Sequence, residues 1–191
     1  MYYFRSRQLL AVFLSFLMLI SVFTAIPAQV RADSLPILPN SGFEQVANGK
    51  PVSWSVISGT VTSSTYTVHS AVYSVQLTDL SSTASVGLRS TKIAVTPGKE
   101  YESSVYSYNT QGSSQLYFEF WDANNTLIAF PFVTNSTLNQ WKQLYVSTIA
   151  PVGAVSMSLR VYAGQGNIGT SYFDDAEFGE VVQDPNSLLR N

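Results

Sequence analysis

Polar and apolar residues alternate with a period of two along most of this chain from Ser74 onward, the signature of half-buried strands. The clearest case is Gln115–Asp122, where Leu116, Phe118 and Phe120 share the parity of a core face and Tyr117, Glu119 and Trp121 point the other way. Tyr101–Tyr108 alternates as well, with Ser104, Tyr106 and Tyr108 on its polar–aromatic face. Ala154–Tyr162 keeps the pattern for nine residues, and Ser74–Leu77, Ser85–Ser90, Lys92–Val95 and Trp141–Ile149 read as further strands. Val56–Val68 is rich in β-branched residues, which suit strands. Turn chemistry separates these stretches. Thr96-Pro-Gly-Lys99 predicts a type II turn, Ala123-Asn-Asn125 suits left-handed backbone, and a loop is expected over Ala47–Pro51. Short strands at regular spacing, with neither helical period nor internal repeat, predict an all-β sandwich.

The first 32 residues break this pattern. Arg5 and Arg7 precede an apolar run from Leu9 to Phe23, and small residues at Ala28 and Ala32 offer cleavage points. This predicts a signal peptide over residues 1–32, a single domain over 33–182 and a short C-terminal tail over 183–191. The expected destination is outside the cell, free or associated with its surface, with no membrane contact once the leader is removed. An uncleaved anchor is the rival, although the apolar run is short for a bilayer span.

Composition narrows the function classes. From Asp33 onward seven Lys and Arg stand against twelve Asp and Glu, net −5, so no basic surface is expected to neutralise phosphates and nucleic acid is excluded as a partner. There is no cysteine and hence no disulfide framework. His69 is the only histidine, which rules out a histidine-rich metal cluster, and a lone histidine in a loop reads as a surface residue. No G-x-S-x-G elbow marks a nucleophile. Glu119 and Asp122 could be nominated as a glycosidase pair, but three positions apart on one strand they face opposite ways. The chain is therefore expected not to be an enzyme.

One acidic stretch needs compensation. In Gly169–Phe178, read as a regular strand, Tyr172, Asp174, Ala176 and Phe178 share one face while Phe173, Asp175 and Glu177 share the other. Adjacent carboxylates in an apolar strand resist burial. A hard cation held by oxygens would compensate them, with Glu44 near the other end of the domain as a further ligand. Turn amides or a neighbouring lysine would serve equally well by composition.

Taken in order, several pieces resemble the carbohydrate-binding-module superfamily of families 4, 9 and 22, the CenC-like modules. They are N-S-G-F-E at 40–44, G-K-P-V-S-W at 49–54, H-S-A-V-Y-S-V-Q-L at 69–77, L-R-S-T-K-I-A-V-T-P-G-K-E-Y at 88–101, L-Y-F-E-F-W-D-A-N-N at 116–125, W-K-Q-L-Y-V-S-T-I-A-P-V-G-A at 141–154 and G-T-S-Y-F-D-D-A-E-F at 169–178. The sequence departs from the usual pattern at Ala71, where Gly is expected, and at Asn124-Asn125, where Asn-Gly is usual. The resemblance implies a jelly roll with a galactose-binding-like fold and a non-catalytic module that binds polysaccharide. It also implies a structural calcium ion that clamps the N-terminal segment to the last strand, here through Glu44, Asp174 and Asp175.

Sugar rings pack their C–H groups on aromatic faces, while carboxylates and amides bond their hydroxyls. The candidate ligand-binding residues are Tyr106, Tyr108, Tyr117, Glu119, Trp121 and Arg89, with Gln76 as a further polar group, forming one aromatic cleft on one sheet for a β-glucan, xylan or similar chain. Trp54 and Trp141 are expected as packing anchors in the core or at its rim. A separate glycoside hydrolase is a possible partner. The competing reading is a structural or adhesive β-sandwich protein that binds no free glycan, since alternating aromatics also fit a plain pleated surface.

Overall fold

Alternation becomes fourteen strands, without a helix, over residues 37–182, the stretch that the computed structural model describes. The expected signal peptide and C-terminal tail lie outside the described residues. Strands β1 (Val46–Ala47) and β2 (Lys50–Pro51) form a small ribbon where a loop was expected, with Asn48 and Gly49 both at positive φ between them. They are followed by β3 (Trp54–Ser58), β4 (Thr60–Ser64), β5 (Ser74–Asp79), β6 (Val86–Ser90), β7 (Ile93–Ala94) and β8 (Glu100–Asn109). The second half comprises β9 (Ser114–Trp121), β10 (Leu127–Ala129), β11 (Phe132–Asn135), β12 (Lys142–Ile149), β13 (Ser156–Ala163) and β14 (Gly169–Glu180).

Two antiparallel sheets carry the architecture. One has five strands in the order β12-β8-β14-β5-β4. The other has seven, built on β10-β9-β13-β6-β3, with β11 also paired to β9 and β7 to β13. The β-branched run after Trp54 is split between them, since β3 lies in the larger sheet and β4 in the smaller. Gly59 makes that switch at φ 67°, and a Cβ there would stand 2.5 Å from Val86 Cγ2, so only glycine fits the corner.

The sheets enclose a core that follows the predicted parity. Leu116, Phe118 and Phe120 of β9 face Val105 and Tyr101 of β8, Phe173 of β14, and Val75 and Leu77 of β5, all within one buried cluster. Trp54 joins that core, its ring 4.8 Å from Phe43. At one end a buried polar network ties the layers. Asn109 Nδ2 donates to the carbonyls of Asn135 and Thr137, its Oδ1 accepts from Ser171, and Asn135 donates to Ser107 Oγ.

The expected parity of β14 fails halfway along. Asp175 has φ 48°, and the pairing with β8 shifts register between Asp174 and Glu177. This bulge inserts one residue, so Phe173 and Ala176 both face the core, while Tyr172 and Asp174 before it and Glu177 after it face outward. Regular alternation would have placed Ala176 beside Asp174; the left-handed residue between them reverses that.

Candidate functional site

The six residues expected to share one cleft fall on opposite sides of the sandwich. Tyr106 and Tyr108 belong to β8 in the five-stranded sheet. Tyr117, Glu119 and Trp121 belong to β9, and Arg89 to β6, in the seven-stranded one. Both sets point away from the core, because both strands keep their apolar parity inward. Two strands with matching outward aromatics build one platform only when they are neighbours in one sheet, and β8 and β9 are not.

The five-stranded sheet gathers aromatics that sequence reasoning had assigned elsewhere. Tyr172 of β14 pairs with Tyr108 of β8, and Trp141, just before β12, packs against Tyr108 with ring centroids 5.7 Å apart. Tyr108 and Tyr172 meet edge to face at 6.2 Å. His69 lies flat on Tyr106 at 3.7 Å and presents its edge to Trp141 at 5.4 Å. The tyrosine and tryptophan rings are half-buried, His69 is exposed, and Gln76, paired with Tyr172, extends the row. Across three neighbouring strands this row spans about 10 Å. Farther along the same sheet lies an open cleft of about 590 Å³, lined by Glu102, Ser104, Gln143, Tyr145 and Glu177, with Ile37 at its margin. Glu102 accepts a hydrogen bond from the Tyr145 hydroxyl and Glu177 one from Ser104, each through a single oxygen. Trp141 was expected as a packing anchor and His69 as an isolated surface residue. Only the return of the loop over β14 puts His69 beside Tyr106.

On the seven-stranded sheet the aromatic faces are already taken. Arg160 of β13 lies over Tyr117 at 3.9 Å and over Tyr162 at 4.8 Å. Lys92 sits 3.6 Å above the Trp121 ring and also donates to Asn125 Oδ1, and Arg89 stands 5.1 Å from that ring. Phe132 stacks on Tyr117 at 4.7 Å. Glu119 points outward from the core yet is fully buried, held by Arg89 Nε at 2.6 Å and Nη2 at 3.0 Å, with Ser158 Oγ donating at 3.0 Å. Its carboxylate is spent on this network. Asp122 caps its own turn by accepting from the amides of Asn124 and Thr126. Neither acid is placed to act with the other.

The three expected metal ligands do gather around one segment, residues 69–73, and the two ends of the domain do meet. Ala176 N donates to the Ser41 carbonyl at 2.9 Å, closing the N-terminal turn onto β14. Each acid already has hydrogen-bond partners in that segment. Asp174 Oδ2 accepts from the amides of His69 and Ser70, and Oδ1 accepts from the amide of Asp175. Glu44 accepts from the amides of Val72 and Tyr73. Asp175 accepts from Ser70 Oγ and lies 2.6 Å from His69 Nδ1. A row of amide donors attracts anions and repels cations. Among the described residues no group of three His, Cys, Asp or Glu is disposed to hold a metal ion. Backbone amides thus hydrogen-bond Glu44 and Asp174, and the side chains of Ser70 and His69 meet Asp175. Burial lifts the Asp174 carboxyl to about 6, against the pull of the Ser70 and His69 amides, with Asp175 adding to the rise.

No protein-family model matches the chain, and no curated protein matches it in sequence. Solved structures do. The arabinose-bound MgGH51 α-L-arabinofuranosidase superposes with a TM-score of 0.62 at 17% identity, over 80% of this chain and 28% of that one. TmCBM61 in complex with β-1,4-galactotriose gives a TM-score of 0.54 at 20% identity, over 75% of this chain and 97% of that one. The C-terminal family 22 carbohydrate binding module of Clostridium thermocellum Xyn10B gives 0.52 at 19% identity, over 75% and 98%. The chain thus spans about a quarter of the arabinofuranosidase and nearly the full length of the two modules. The chain shares the β-sandwich fold of these two modules.

Proposed function

We propose that this protein is a non-catalytic carbohydrate-binding module whose site is the outer face of the five-stranded sheet. One observation carries the reading: His69, Tyr106, Tyr108, Trp141 and Tyr172 form a continuous set of rings on which, among the described residues, no cation lies. Sugar rings stack on such faces through their C–H groups, and Gln76 and Gln143 supply amides for hydroxyls. The adjoining cleft continues the path. There Glu102 and Glu177 each keep an oxygen for a hydroxyl donor. Two carboxylates disfavour an acidic chain on this face, so the ligand is a neutral polysaccharide, of which β-glucan, xylan and β-1,4-galactan are the first to test. The apolar N-terminal run supports export, and a separate hydrolase would benefit from the targeting. Calcium has no part in this reading.

Affinity electrophoresis against soluble xylan, mixed-linkage β-glucan and β-1,4-galactan tests the proposal. At least one gel should retard the folded protein, and Trp141→Ala or Tyr108→Ala should restore its mobility. Unchanged mobility in every gel would leave the structural or adhesive reading in its place.

A further inference from the structure

The opposite face offers a different chemistry. Arg89, Lys92 and Arg160 cluster on the seven-stranded sheet of a chain whose overall charge is −2. One buried carboxylate, Glu119, answers the two guanidinium groups, and Asp122, beside Lys92, has its Oδ1 engaged by turn amides. Positive charge is left over. We propose that this face binds a carboxylate-bearing polysaccharide, a uronate chain, with Arg160 as the principal donor and Arg89 and Lys92 beside it.

Donor accounting leads to Arg160. A guanidinium has five N–H donors in a rigid fork. Arg89 commits two nitrogens to Glu119. The Glu119 Oε2 already accepts from Arg89 Nε and Ser158, which leaves Arg160 the poorer partner. Its Nε lies 3.2 Å from Glu119 Oε1 but off the hydrogen-bonding direction. Among the described residues no acceptor is hydrogen-bonded to that nitrogen, although the side chain is only 18% exposed. A largely desolvated guanidinium with unspent donors is a strong site for a planar, bidentate anion. The arrangement already holds one carboxylate in this way, that of Glu119.

The surroundings select a sugar acid. Phe130 and Phe132, each 52% exposed, stand beside Tyr117 and give a ring an apolar wall. The outer faces of Tyr117 and Trp121 are covered by cations, so a neutral sugar cannot stack there without displacing them. A uronate keeps the cations in place and meets them with charge. Because the chain as a whole is acidic, an acidic polymer is repelled elsewhere and its binding reports this patch.

Affinity electrophoresis of the full chain in polygalacturonate at low and moderate salt provides the test. The wild type should be retarded, less so as salt rises, and Trp141→Ala should be retarded equally because it lies on the other sheet. Arg160→Gln should weaken retention by about tenfold or more. Where that change unsettles Glu119, the exposed Lys92→Gln and Phe132→Ala should each weaken it severalfold. The proposal is overturned by free migration of the wild type at low salt, or by retention that survives in Lys92→Gln and Phe132→Ala alike. Retention lost in Trp141→Ala would move the site to the opposite sheet, and equal retention by dextran sulfate would reduce it to non-selective charge. Either result overturns it. A failed xylan, glucan and galactan series would leave this experiment unaffected, since the two faces share no residue.

Discussion

The outer faces of the two sheets have nearly the same aromatic content and opposite states. On the five-stranded sheet, Trp141, Tyr108, Tyr172, Tyr106 and His69 touch one another and, among the described residues, no cation. On the seven-stranded sheet, Tyr117 and Trp121 carry a guanidinium and an ammonium on their faces, above a carboxylate with no exposure at all. An aromatic strand pattern therefore does not define a sugar platform; what already lies on the rings does. The first face carries rings stacked on one another, and the second is a charge network.

The largest expected effect breaks the second face. Glu119→Ala would leave Arg89 and Arg160 facing each other without their shared carboxylate. Removing one partner of a buried ion pair costs about 3–5 kcal/mol. For a domain of this size that corresponds to roughly 10 °C in the thermal midpoint. A midpoint within a degree or two of wild type would show that the network is ornamental. Next comes a contrast in binding. Trp141→Ala should cost at least about tenfold in affinity for the neutral glycan, as loss of a central aromatic anchor does. Trp121→Ala should leave that affinity unchanged. Titration calorimetry of both variants against whichever glycan retards the wild type decides the matter, and a larger loss at Trp121 would exchange the roles of the two faces.

How much of this was legible in the sequence depends on the range of the interactions. Parity along β9 and β8 correctly separated Leu116, Phe118 and Phe120 from Tyr117, Glu119 and Trp121, because alternation is local and one buried face enforces it. Strand order is not local, so Tyr106 and Tyr117 could not be assigned to opposite sheets. His69 looked solitary for the same reason: its partners Tyr106, Trp141 and Asp175 lie 37, 72 and 106 positions away along the chain. The bulge at Asp175 was not readable, since aspartate tolerates left-handed backbone but nothing in the local pattern requires it there. The pairing of Glu44 with the Asp174–Asp175 region across the ends of the domain was readable. Turn amides stood among the alternatives for those acids, and composition did not choose between them and a cation.

The metal question sharpens the same contrast between satisfied and unsatisfied groups. Since Glu44 and Asp174 accept from the amides of residues 69–73, a chelator should leave the melting midpoint unchanged, and added calcium should not raise it. A chelator-dependent fall of several degrees would restore a cation to the junction of the two ends.

The smallest expected effect concerns pH, and its sign is unusual for an aspartate. Asp174 is raised from 3.8 to about 6 in the folded protein, chiefly by burial. The folded state thus binds a proton more readily than the unfolded chain does. By linkage, the Asp174 contribution to stability is fully present below pH 3.8 and is lost as pH rises through about 6. Most carboxylates act in the opposite direction, so this contribution offsets part of the ordinary acid destabilisation between those limits. Asp174→Asn removes the titration while keeping an acceptor for the His69 and Ser70 amides. Comparison of the melting midpoints of variant and wild type at intervals from pH 4 to 7 isolates it. The variant should gain on the wild type as pH rises, because only the wild type must then bury a charge. A difference independent of pH would mean that Asp174 remains ionised throughout, with its three amide donors outweighing its burial.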